Sequence, residues 1–225
     1  MKFKSFVSSV ATALVLSVST FSANAGLLTW NGNEIEALDL NGSYASFEEF
    51  FDYNNAKPYS SDTGFEQDDT VVLFIAELNN EYGVFGTISN YFSGSVGALT
   101  MAYSGTDGTM LFVDDPAEAA PGSISFTYGS GRSDGFLYGD LFDTEWDFTL
   151  DFSSPTNIDG VQFVSFDGGD LSGAEYSALS SINDQYIISN DVSGNNSDGL
   201  PINAPGTLVM LSMSLVFLSL RRGNS

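Results

Sequence analysis

The sequence predicts an all-β fold, a β-sandwich or jelly-roll with one or two short helices added to it. Three observations carry this reading. Short runs rich in Val, Ile, Leu, Phe and Tyr recur along the chain, clusters of Gly, Asn and Asp separate them, and several runs alternate apolar and polar residues with period two.

Taken in order, the first signal is helical. Ser46 and Glu49 have the spacing of a capping box, and Phe47, Phe50 and Phe51 fall on one face of the turn that follows. Residues 70–78, TVVLFIAEL, form an almost unbroken β-branched and aromatic run, the mark of a central strand covered on both faces. After Asn79-Asn80-Glu81, residues 82–89 read as its hairpin partner. Two short strands at 98–103 and 110–113 flank the turn Gly105-Thr106-Asp107-Gly108. In 123–128, Ile124, Phe126 and Tyr128 share a face. Residues 129–135 read as a flexible loop in which Arg132, surrounded by carboxylates, is expected to serve a structural ion pair. In 145–152, Trp146, Phe148, Leu150 and Phe152 point one way while Asp147, Thr149 and Asp151 point the other. Strands at 161–166 and 185–189 follow, with a second helical turn expected over 174–182.

Composition narrows the chemistry. The 225 residues carry 29 Asp+Glu against 6 Lys+Arg, a net charge of −23, yet 43% are hydrophobic, enough to build a core rather than a disordered chain. Nucleic-acid binding is excluded as a role, because affinity for phosphate backbones is built from Lys and Arg. With no Cys and no His, disulfides, thiol chemistry, imidazole triads and His/Cys zinc sites are all excluded. All the acids fall between residues 26 and 200, where Lys57 and Arg132 are the only bases. Such a body attracts divalent cations and is best behaved at high ionic strength.

A carboxylate pair is the one enzymatic mechanism left open. Asp147 and Asp151 lie about 13 Å apart on one strand, too far for glycoside hydrolysis. Asp147 and Glu145 are about 7 Å apart, but alternating acids on a strand are ordinarily its solvated face. No pair stands out, and the expectation is a protein that is not an enzyme. Calcium is the cofactor this composition suits, since it takes oxygen ligands alone. The candidate ligands are Asp167 and Asp170, which bracket Gly168-Gly169, and Asp140 with Asp143 ahead of the Trp146 strand; Asp68-Asp69 and Asp114-Asp115 are further acidic doublets. None has EF-hand spacing, and the competing reading is that these are turn residues. Tyr53, Tyr59, Tyr91, Tyr103 and Tyr138 lie near loops, where exposed rings could stack on sugars.

The two ends have a different grammar. Lys2 and Lys4, an apolar stretch at 6–18 and Ala23-Asn24-Ala25 make a secretory signal, with cleavage after Ala25. The other reading, a membrane anchor, needs a longer apolar segment. The sandwich is expected over 26–190 and a polar linker over 191–202, with a distinct tail at 203–225. That tail holds Asn203-Ala204-Pro205, a chargeless apolar run at 208–220, and then Arg221 and Arg222. The apolar run partitions into a membrane and the arginines resist crossing it, so the body is left on the outer side.

This tail resembles the PEP-CTERM sorting signal of Gram-negative bacteria, with Asn203-Ala204-Pro205 standing where that class has Pro-Glu-Pro. The resemblance implies recognition by an exosortase-like processing enzyme after signal peptidase has acted, transient insertion in the inner membrane, and transfer to the cell surface. It also implies an association with exopolysaccharide and biofilm matrix. An uncleaved C-terminal anchor is the competing reading. The expected role is therefore structural or adhesive, with extracellular polysaccharide as a partner. A lectin-like carbohydrate-binding module and a carboxylate-dependent polysaccharide hydrolase or lyase are the rivals.

Overall fold

The computed structural model describes residues 27–51, 61, 63–89 and 96–192. The signal at 1–25, the linker beyond 192 and the tail at 203–225 lie outside them. Among the described residues no helix is long and apolar enough to cross a membrane.

Two seven-stranded sheets face each other, as the sequence predicts. The front sheet runs in the order β2 (Asn33–Glu34), β1 (Leu27–Trp30), β14 (Gln185–Asp191), β11 (Trp146–Thr156), β6 (Gly97–Gly105), β9 (Ser123–Tyr128) and β8 (Ala119–Ala120). The back sheet runs β13 (Ala174–Tyr176), β12 (Gly160–Phe166), β4 (Thr70–Leu78), β5 (Glu81–Ser89), β10 (Ser133–Phe142) and β7 (Thr109–Val113). A short β3 (Leu38–Asp39) continues the β12 edge, so that β12 and then β3 lie parallel to β4. The remaining ladders are antiparallel.

Strand parity builds the core between the sheets. Val71, Leu73, Ile75, Val84, Ile88 and Phe136 of the back sheet meet Phe126, Phe148, Leu150, Tyr186 and Ile188 of the front sheet. The opposite faces of β4 and β5 are buried too. There Val72, Phe74, Ala76, Leu78 and Phe85 pack under α1 (Phe47–Phe51), Leu38, Leu40 and Phe65. This second layer is why 70–78 can be apolar at nearly every position. The cap of α1 forms as expected, with the Glu49 amide donating to Ser46 Oγ at 3.2 Å. The Glu49 carboxylate reaches back to the Ala45 amide at 2.6 Å.

Two expectations are corrected. Residues 174–176 are an edge strand rather than a helical turn, because they complete a ladder with Val164, Ser165 and Phe166 of β12. The loop expected at 129–135 ends early: Ser133 opens β10, which pairs on both sides, with β5 and β7. The turn after β6 also differs from a hairpin in kind, since β6 and β7 lie in different sheets.

Candidate functional site

The calcium candidates gather at one end of the back sheet but not at one point. Asp167 begins a 3-10 turn after β12 in which Gly168 and Gly169 take φ of 68° and 71°. The Gly168 amide donates to Glu36 Oε2 at 2.7 Å. Asp170 accepts the Ser172 amide at 3.3 Å as the cap of the next 3-10 turn. Asp140 lies within β10 rather than in a loop, at a register shift and with φ of 57°. Its Oδ2 accepts from Thr109 Oγ1 at 2.5 Å, and its amide donates to Glu81 at 3.0 Å. Asp143 follows β10 on the side facing Glu77 and Tyr82. Strands β4 and β5 separate the two pairs, about 14 Å at three strand spacings. Among the described residues, no three His, Cys, Asp or Glu side chains form a set able to hold a metal ion. Glu77 is half-buried on this rim. Its carboxyl titrates above the usual range, first because burial strips its water and then because Asp39 and Asp143 repel its charge.

On β11 the acids make separate contacts. Asp151 is exposed and accepts from Gln185 Nε2 at 3.2 and 3.3 Å, while the Asp147 amide is held by Thr106 Oγ1 at 3.0 Å. Of the tyrosines, Tyr53, Tyr59 and Tyr91 lie outside the described residues. Tyr138 is only 4% exposed and stacks on Phe148 with ring centroids 4.1 Å apart, so it is a core residue rather than a sugar platform. Tyr103 is half-buried and lines an open groove of about 480 Å³ with Leu111, Pro116 and Pro121. Arg132 is exposed in the turn before β10.

The most perturbed chemistry lies at the opposite end of the back sheet. Asp134 shares with Phe136 the face of β10 that looks into the gap between the sheets, and it is 3% exposed. Its side chain is hydrogen-bonded to that of Asp114, itself buried, and its Oδ2 has no partner. The Asp114 amide donates to the Gly135 carbonyl at 3.1 Å, so the turn after β7 extends the β7–β10 ladder and delivers the second carboxyl. Burial is the main reason that Asp134 is raised to about 9, with Asp114 and then Glu118 adding to it. Glu118, in the 3-10 turn Pro116–Glu118, is raised to about 7 by burial and then Asp115; Thr127 opposes this by donating from its amide and hydroxyl. Tyr128 closes the wall. Its buried hydroxyl has no partner, and burial, followed by Asp69, Asp134 and Asp68, raises it well above the ordinary phenol range.

The sequence reading noted Asp68-Asp69 and Asp114-Asp115 as doublets but missed Asp134, on whose surroundings both converge. The available signal was parity. In Asp134-Gly135-Phe136-Leu137-Tyr138, an acid occupies the inward register of two core aromatics. No family model, curated protein or solved structure matches the chain.

Proposed function

We propose that this chain is an exported surface protein whose acidic sandwich has a structural or adhesive role in an extracellular polysaccharide matrix. In this reading the leader at 1–25 carries it across the inner membrane, and the tail at 203–225 holds it there until an exosortase-like enzyme passes it outward. The observation that carries the reading is the tail itself: Asn203-Ala204-Pro205, an uncharged apolar run, then Arg221 and Arg222. The geometry of the body is compatible with such delivery. Leu27 of β1 pairs with Asp191 of β14, so the first and last strands end side by side. A domain so arranged hangs from one corner, and its release needs a single cut beyond that corner.

The test is fractionation of cells producing the full chain, followed by mass spectrometry of its C-terminus. A surface or medium fraction ending between Asn203 and Gly206 is the expected result. The intact chain, with Arg221 and Arg222, as the stable inner-membrane form would overturn the reading.

A further inference from the structure

We propose that Asp134 and Asp114 form a proton-held latch, fastening the crossing from the back sheet to the front sheet (residues 114–118) onto the open end of the sandwich. The chemistry follows from the contact. Two carboxyl groups hydrogen-bond to each other only when one carries a proton, because two carboxylates offer acceptors and no donor. The protonated Asp134 donates, and the Asp114 carboxylate accepts. The pair joins two different elements, since Asp134 belongs to β10 while Asp114 begins the segment that leaves β7 for β8. Further along that segment, Glu118 is held by the amide and hydroxyl of Thr127 on β9. The crossing is therefore fixed to the back sheet at one point and to the front sheet at another.

Among the described residues, the carboxyl groups that act on Asp134 oppose its ionisation. Asp114 and Asp115 come from the turn after β7, and Glu118 from the 3-10 turn. Tyr128 faces it from β9, with Asp68 and Asp69 turned toward the same phenol from the stretch before β4. β5 contributes Ile88, which is uncharged, and Arg132 in the turn before β10 is exposed. Losing the proton leaves adjacent carboxylates in a site poor in water, and their repulsion lifts the crossing away from β10.

The direction of the pH effect is fixed by linkage. A carboxyl whose folded pKa exceeds its unfolded one contributes stability below the unfolded value, near 4, and loses it as pH rises through the folded value. The loss comes in two stages, through about 7 for Glu118 and about 9 for Asp134. The chain makes this readable, because it has no His and no Cys, the side chains that ordinarily titrate in that window.

Thermal unfolding of the purified full-length chain between pH 6 and pH 9.5 tests the latch. The wild type is expected to lose about 5 °C or more of Tm across this range. Asp134→Asn should keep only the Glu118 stage and be nearly flat from pH 8 to pH 9.5, since its amide donates to Asp114 at every pH and cannot ionise. Asp114→Asn, which keeps an acceptor oxygen but removes the neighbouring charge, should reduce the fall between pH 8 and pH 9.5 without abolishing it, and decides the matter if the first variant does not fold. A wild-type Tm that holds constant between pH 8 and pH 9.5 overturns the latch, as does a fall over that interval in both variants equal to the wild type's. A Tm rise with added Ca2+ at pH 6 that both variants abolish also overturns it, since a cation rather than a proton would then join the pair.

Discussion

The ring of Phe74 lies flat on the ring of Phe85, with centroids 5.0 Å apart and planes parallel. The two residues face each other across the β4–β5 ladder, on the side of the back sheet turned away from the front sheet. Phe50 of α1 stands edge-on to both, with centroids 6.1 and 5.5 Å away and planes at 89°. Phe50 thus joins Phe47, Phe51 and Phe65 in covering the stacked pair on its outer side.

Phe50 is 3% exposed, and truncating it opens a cavity against both rings. Phe50→Ala is expected to destabilise the fold by about 3–5 kcal/mol, the usual loss for a large buried aromatic. Phe50→Leu, which keeps most of the volume, should cost clearly less. Urea unfolding of both variants checks this; an alanine variant within about 1 kcal/mol of wild type would mean that α1 contributes little to holding the back sheet.

The same packing explains which parts of the fold were legible. The run at 70–78 could be read because nearly every position is buried, on one face or the other, and 145–152 because one of its faces is solvated. β10 could not be read. Asp134, Gly135, Gly139 and Asp140 occupy positions where propensity argues for a loop, and tertiary contact overrides it. A Cβ at Gly135 would meet the Gly86 carbonyl at 2.5 Å and Phe51 at 2.7 Å, so the glycine marks a close approach inside the sheet rather than a turn. The latch was illegible for a different reason. Asp114 and Asp134 are far apart in sequence and lie on different elements, and their pairing exists only once β7 and β10 are neighbours. Asp167, Asp170 and Asp140, by contrast, read two ways in the sequence because turn-forming acids and cation-binding acids share the same residue types. Asp170 accepts from the Ser172 amide and Asp140 from the Thr109 hydroxyl, contacts that a turn acid also makes.

Gly86 on β5 and Gly129 after β9 allow sterics to be separated from backbone freedom, since neither has a positive φ. A Cβ on Gly86 would lie 2.1 Å from the Phe136 ring in the main core, whereas one on Gly129 meets nothing nearer than Arg132 Cδ at 3.8 Å. Gly86→Ala is expected to cost about 2 kcal/mol or more by overpacking, and Gly129→Ala under about 0.5 kcal/mol. Chemical denaturation of the two variants checks the contrast. Equal effects would show that Phe136 can move aside and that the inter-sheet core is looser than its packing indicates.

Charge gives the final prediction. With 29 acids in the chain and only Lys57 and Arg132 as bases in its body, exposed carboxylates repel one another over most of the surface. That repulsion reaches about 30 Å at 0.01 M salt and only about 3 Å at 1 M. Folding concentrates these charges, so screening should favour the folded state. Tm is expected to rise with NaCl from 0.01 to 0.5 M, on the order of 5 °C for a domain of this size. Reversing two exposed acids, Glu175→Lys with Asp184→Lys, should raise the low-salt Tm and shallow the slope. Scanning calorimetry at pH 6, where Asp134 still holds its proton, keeps this effect apart from the latch. A Tm that stays flat or falls as salt is added would mean that the acids are already neutralised by bound cations, and the double variant would then lower stability instead of raising it.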